Sequence, residues 1–381
     1  LEPWLPIFKT MQASNDDSVD GFPVFYDVKT ELLTLINSQA TNVSVLGYNN
    51  SDTWENVVAS DNFAGNVFYR ADDVVPLTIN LDYLLLTKIN DENEPGDDLL
   101  GKFIDPLADI EFVDIPSAAV EIKYLEYDEK PLGVWSFEVD AQPELILVEN
   151  IQGAVADIAF TGLMQGEGAS LGWSKLNGQN QTTISARIKG GDLESLFELW
   201  ALPPSLNNEQ LHAAIDLSWA GSPAAIRVAA LGGDIDFLLE NGSFVQASGN
   251  ATGFLQILDF LNFDTWIKRL RLNFSGMLDE GVAFDNVSGR LSFNEGIVRL
   301  EEPVEVNGDS VAISLSGFID YPRDNIEGNL AVVLPVGGNL NLAAAIAGGL
   351  PAAVAVYLVR QVFKDEFDKA STVNYQVSGS L

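Results

Sequence analysis

The chain has 381 residues, a formal net charge of −35, one histidine and no cysteine. Its acidity, with a pI near 4.1, excludes a nucleic-acid-binding face, because phosphate neutralisation needs clustered Lys and Arg, and it opposes permanent docking on an anionic leaflet. The absence of Cys excludes a disulfide framework and thiol chemistry, while 47% apolar residues at a mean hydropathy of +0.11 require that many apolar side chains be buried or line something.

More than half of the net charge falls within residues 1–150, which reads as a solvated outer face. The run NDENEPGDD (90–98) is an acidic loop or linker and lacks the ligand spacing of an EF-hand. Beyond it, alternation with period two dominates. GVWSFEVDA places Trp135, Phe137 and Val139 on one face, and TTISARIKG does the same with Ile184 and Ile188. GDLESLFELWALPP predicts a short helix over 192–202, with Asp192 as N-cap and a stop at Pro203 and Pro204. AAIDLSWAGS aligns Ile215, Leu217 and Trp219; DIDFLLENGSF aligns Ile235, Phe237 and Leu239, and then predicts a hairpin turn at Asn241 and Gly242. A second short helix is expected over 252–261.

KRLRLNFSG follows, with Leu270, Leu272 and Phe274 on one face. Its Lys268, Arg269 and Arg271 form the only dense basic cluster, which suits phosphate headgroups at a rim or, more simply, the solvated face of a strand. SGRLSFNEGIVRL gives Leu291 and Phe293, a turn over 294–296 and a return strand. VAISLSGFID places Val311, Ile313, Leu315 and Ile319 on one face, with Ala312, Ser314, Ser316 and Asp320 mostly on the other. LAAAIAGGLPAAVAVYLV (342–359) is uncharged but interrupted by Gly348, Gly349 and Pro351, so it makes a marginal membrane span. Pro351 suits the first turn of a helix, and Val359, Val362, Phe363 and Phe367 continue it on an inward face. VNYQVSG then resumes strand alternation with Val373, Tyr375 and Val377.

Short connections imply hairpins and an antiparallel sheet. A loose unit of strand, Gly-containing turn and strand recurs in VSGRL, LSGFI and VSGSL. Three short helices cannot cover so many strands, and an apolar sheet face must be covered. Either two sheets pack as a sandwich or one long sheet curls around an apolar interior; the lack of a second layer favours the curl. The fold expected is mostly β, with a curled antiparallel sheet over 1–339, a helical plug or gate over 340–370 and a final strand over 371–381.

The segments LSWAGSPAAI, GDIDFLLENGSF, ILDFLNFDTWIKRLRLNFSGMLDEGVAFDNVSGRLSFNEGIVRL and NLNLAAAIAGGLPAAVAVYLVRQVFKDEFDKASTVNYQVSG together resemble the C-terminal region of the YhdP family, AsmA-like envelope proteins of Gram-negative bacteria. Weaker similarity reaches back to about Trp54. The resemblance implies a periplasmic bridge, anchored in the inner membrane by an N-terminal helix outside this chain. In such a bridge phospholipid travels along an apolar β-groove between inner and outer membranes. On that reading Leu217, Trp219, Ile235, Phe237, Leu239, Leu272, Phe274, Leu291, Phe293, Ile313, Leu315, Val373 and Tyr375 line the groove. The helix from Pro351 through Val359, Val362, Phe363 and Phe367 lies at its end. No cofactor, metal or catalytic residue is expected. His212 stands without a second His or a Cys, which leaves zinc chemistry little support, and no nucleophile-elbow motif accompanies it. A structural scaffold with a sealed core, aiding outer-membrane assembly, is the alternative.

Overall fold

The computed structural model describes residues 23–35, 38–50, 52–87, 105, 107–108, 110–163, 168–199, 206–244, 282–308, 311–335 and 370–379. Their order is β1 (Val24–Leu35), β2 (Ser38–Asn50), β3 (Thr53–Ala59), β4 (Phe63–Arg70), β5 (Leu77–Leu86), β6 (Ala118–Tyr127), β7 (Lys130–Gln142), β8 (Leu145–Val155), β9 (Ile158–Thr161), β10 (Ala169–Leu176), β11 (Gln179–Gly190), helix α1 (Glu194–Leu199), β12 (Leu206–Ala220), β13 (Leu231–Phe244), β14 (Val282–Asn294), β15 (Ile297–Gly308), β16 (Val311–Asp320), β17 (Asn325–Pro335) and β18 (Ala370–Gly379). The eighteen strands belong to one sheet, mostly antiparallel, and the expected β architecture is what forms. Two compact units divide the chain: Leu1–Ala156 with Phe160–Thr182 and Gly221–Ala225, and Asp157–Ala159 with Thr183–Ala220 and Ile226–Leu381.

Tight turns carry the hairpins. Between β14 and β15, Asn294 pairs with Ile297, and the two residues between them, Glu295 (φ 48°) and Gly296 (φ 81°), both lie in the left-handed region. Two positive φ values define a type I′ turn, whose twist matches that of the strands. The turn expected over 294–296 is therefore present. Asp128 and Glu129 make the same turn between β6 and β7 without any glycine.

One connection departs from the antiparallel rule. β5 and β6 are parallel, with Leu77 beside Ala118 and Leu81 beside Ile122. The chain travels from 87 to 117 between them, long enough to bring β6 back in the same direction, which a hairpin cannot do.

The hairpin expected at Asn241 and Gly242 does not form. β13 runs unbroken from Leu231 to Phe244, although Asn241 is left-handed (φ 51°). Neighbours on both sides keep register across that residue: Gln210 and Asn208 of β12 face Glu240 and Gly242, and so do Asn286 and Phe284 of β14. Two flanking ladders outweigh a local turn preference. Leu239 is buried before Asn241 and Phe244 after it, the latter 5.1 Å from the Phe284 ring.

Helix α1 lies within the predicted 192–202. The Asp192 carboxylate accepts from Glu194 N at 2.9 Å and from Asn208 N at 3.2 Å, so the predicted N-cap also ties the helix start to β12. The helix expected over 252–261, residues 340–369 of the expected helical segment and the acidic run 90–98 lie outside the described residues, while Ala370, placed at the end of that segment, begins β18.

The first unit builds its core on one sheet face. Phe112, Ile146 and Trp173 are buried together, with Leu107, Ile110, Ile115, Val139, Val148 and Leu171 packed around them. Phe112 belongs to a single 3-10 turn, Phe112–Asp114, and meets the Trp173 ring edge-on at 4.6 Å.

Candidate functional site

The second unit holds an unbroken apolar row. Following the ladders from β12 to β18, Leu211 faces Leu239, which faces Val287, then Val306, Ile313, Val332 and Val373. Seven strands contribute one residue each, and none is polar. Directly opposite residues in a ladder share a face, so the row is a continuous apolar strip running across the strands.

Further rows lie beside it. Ala213, Phe237 and Gly289 align across β12 to β14, and Val304, Leu315, Leu330 and Tyr375 continue across β15 to β18. Gly289 is the glycine of VSGRL. A Cβ there would press on the Phe237 ring and on Val304 Cγ2 at 2.9 Å, so the bare glycine lets the aromatic ring lie across it. Ile215, Ile235, Leu291 and Leu300 form another row, and Leu217, Gly233, Phe293, Val298, Ile319 and Ile326 the next. The ladder slips between Arg299 and Val304 of β15, where exposed Glu301, Glu302 and Pro303 bulge out. Proline lacks the N–H a ladder needs, so this is where it is tolerated.

Most of the predicted apolar residues thus fall on this face. Leu217, Trp219, Leu239, Ile313 and Leu315 are buried; Ile235, Phe237, Leu291 and Phe293 are half-buried. Val373 and Tyr375 occupy β18 register positions beside Val332 and Leu330. Leu272, Phe274, Lys268, Arg269, Arg271, Pro351, Val359, Val362, Phe363 and Phe367 lie outside the described residues. Period-two reading missed Leu211, Val287, Val306, Leu330 and Val332, although NLAVVL and VEV carry the apolar residues that would have placed several of them.

Charge sits on the opposite face. Arg290 donates from Nε to Asp236 Oδ1 at 2.6 Å and from Nη2 to Oδ2 at 2.9 Å, and that pairing holds its pKa above the usual arginine value. Glu305 lies beside Ser288 and Ser314; burial, aided by the nearby Glu302 charge, raises its pKa. His212 has Nε2 3.8 Å from Glu240 Oε2 on β13. Among the described residues no group of His, Cys, Asp or Glu is arranged to hold a metal ion, and no helix is long and apolar enough to cross a membrane.

Alternation fails at β16 and β17. Ala312 and its partner Val333 are as buried as Ile313 and Val332, so both faces are covered at that end of the two strands, while Glu327 and Asn329 farther along β17 are exposed. Asp320 is also buried, where it accepts from Arg323 N at 3.0 Å and from Arg323 Nη1 at 2.6 Å.

A large, mostly antiparallel sheet whose strands present continuous apolar rows defines the class: a β protein with an apolar sheet face. Comparison with known proteins agrees, for the chain matches the YhdP protein family over residues 1–381 and belongs to it. It is 21% identical over 379 residues to the intermembrane phospholipid transporter YhdP of Escherichia coli (strain K12), an alignment covering 99% of this chain and 29% of that protein. The chain therefore spans under a third of the length of the curated relative it matches. No solved structure matches it.

Proposed function

We propose that this chain is part of a phospholipid conduit in which acyl chains slide along the apolar rows of β12 to β18. The observation that carries the reading is the row from Leu211 to Val373, seven apolar positions without a polar interruption. Each CH₂ exposed to water costs about 0.8 kcal/mol, so two long acyl chains cost on the order of 20 kcal/mol to expose fully. A continuous apolar surface removes most of that barrier, and it needs no catalytic group. The E. coli relative is named an intermembrane phospholipid transporter, which supports the same cargo here. The site of action is then the periplasm, with inner and outer membranes as the two partners and an inner-membrane anchor contributed by an N-terminal helix beyond this chain. The basic cluster Lys268, Arg269 and Arg271 serves headgroups.

The burial of both faces at the Ala312–Val333 end of β16 and β17 favours a second reading, a sealed structural scaffold, for that part of the sheet. A photo-crosslinking phenylalanine analogue separates the two. Placed at Phe237, Leu291 or Ile313 it captures phospholipid; placed at Asp236, Ser292 or Ser314 it does not, because adjacent side chains point to opposite faces. Equal capture at both sets, or capture at neither, rejects the conduit.

A further inference from the structure

The first unit has its own apolar face, and part of it is occupied by the chain itself. Across β5, β6 and β7 the registers align Leu77, Ala118 and Val139, then Ile79, Val120 and Phe137, then Leu81, Ile122 and Trp135. The face extends onto β8 and β10 through Val148 and Leu171 and through Ile146 and Trp173. There Leu107, Ile110, Phe112 and Ile115, from the end of the β5–β6 crossover, lie over it as a strap. Leu107, Ile110, Phe112 and Ile115 pack on Val139, Ile146, Val148, Leu171 and Trp173.

The way the strap is held sets it apart from a strand. Its backbone bonds run within itself: Ala108 N to Asp105 O, Ile110 N to Leu107 O and Ile115 N to Phe112 O. Side chains tie it down. Lys175 Nζ lies 3.4 Å from Glu111 Oε1, and Asn180 Nδ2 donates to Ala108 O at 3.4 Å. At its start Asp105 accepts from Ser222 N at 2.8 Å, from Ser222 Oγ at 2.5 Å and from Leu107 N at 3.0 Å. Burial pushes the Asp105 pKa up, but these three hydrogen bonds outweigh it and hold the carboxyl below its usual value. The latch is therefore a charged acceptor at neutral pH, and such bonds are the stronger kind.

What covers this end of the face is thus a set of aliphatic and aromatic side chains held at its start by the Asp105 latch and farther along by Asn180 and Lys175. Acyl chains offer the same apolar chemistry, so phospholipid that enters where the strap lifts covers the sheet face again, and the remaining cost is exposure of Leu107, Ile110, Phe112 and Ile115. We propose that the face formed by Val139, Ile146, Val148, Leu171 and Trp173 is an acyl-chain site of the conduit, occupied by the strap as a built-in substitute and opened to phospholipid when the Asp105–Ser222 latch releases. The proposal rests on the conduit reading and adds a site and a gate to it.

The test uses the full-length protein with vesicles of phosphatidylethanolamine and phosphatidylglycerol. A photo-crosslinking phenylalanine analogue is placed at Phe137, beside the strap, or at Trp173, beneath it. In the parent protein Phe137 captures phospholipid and Trp173 captures little. Asp105→Ala with Ser222→Ala raises capture at Trp173 several-fold and leaves Phe137 unchanged. Phe112→Ala, which clears the cover without touching the latch, gives the same rise and guards against a latch variant that fails to fold. Capture at Phe137 with none gained at Trp173 in either folded variant shows a permanent core and overturns the strap proposal alone. No capture at Phe137, Phe237 and Leu291 alike overturns the conduit and this proposal with it.

Discussion

Leu291→Asp, compared with its neighbour Ser292→Asp, puts the same charge on the two faces of one strand. Leu291 stands between Ile235 and Leu300, all three half-buried on the apolar face. Burying a whole Leu contributes about 1.5–3 kcal/mol, so losing a half-buried one costs about 1–2 kcal/mol. The new carboxylate has only apolar side chains directly opposite it. If the face is open to water and lipid, solvent reaches the charge and the total loss stays near 2–3 kcal/mol, which a domain of ordinary stability of about 5–15 kcal/mol survives. If the face is sealed, the carboxylate is desolvated and the loss reaches several kcal/mol more. Ser292 lies between Asp234 and Arg299, one charge of each sign, so its substitution changes stability by about 0.5 kcal/mol or less. Urea unfolding gives the stabilities, and transfer of fluorescent phospholipid between vesicles by the full-length protein gives the function. The expected result is that Leu291→Asp folds but transfers poorly, while Ser292→Asp does both normally. A Leu291→Asp protein that folds and transfers at the rate of Ser292→Asp refutes the lipid contact; one that cannot fold refutes the open face.

Glu305 carries a raised pKa, so the folded protein binds its proton more tightly than the unfolded chain does. That contribution is complete below the ordinary value of 4.5 and is lost as pH rises through the folded value. Glu305→Gln should therefore be more stable than the parent near pH 7 and indistinguishable from it at pH 3, as measured by urea midpoints across that range; a difference constant with pH rejects the assignment. Glu295 occupies the first left-handed position of a type I′ turn, where a side chain larger than Asn or Gly is strained. Glu295→Asn should raise stability by about 1 kcal/mol, read as a higher thermal midpoint, and a lower midpoint would show that the Glu side chain makes a compensating contact.

The sequence by itself determined the class of fold. Alternation in segments such as DIDFLL, RLSF and VAISL can bury only one side of a strand, so it required a large sheet with an apolar face, and NEG between two such runs required a tight turn. The Asp192 cap was legible for the same reason: a short polar side chain before an apolar run satisfies the first N–H groups of a helix. What escaped the sequence were features set by partners distant in the chain. Leu107, Ile110, Phe112 and Ile115 follow neither the strand nor the helix period, because they answer to strands β7, β8 and β10 and to no regular element of their own. Asn241 and Gly242 look like a turn in isolation, yet two ladders hold them straight. Burial of both Ile313 and Ala312 likewise depends on what lies against each face, which alternation cannot encode. Periodicity is a local property of the chain and fixes which side of a strand is apolar. Which strands then stand side by side, so that Leu211, Leu239, Val287, Val306, Ile313 and Val332 fall into one line, is decided by register between strands whose paired residues lie as far apart in the chain as Leu239 and Val287, and only the tertiary structure sets that.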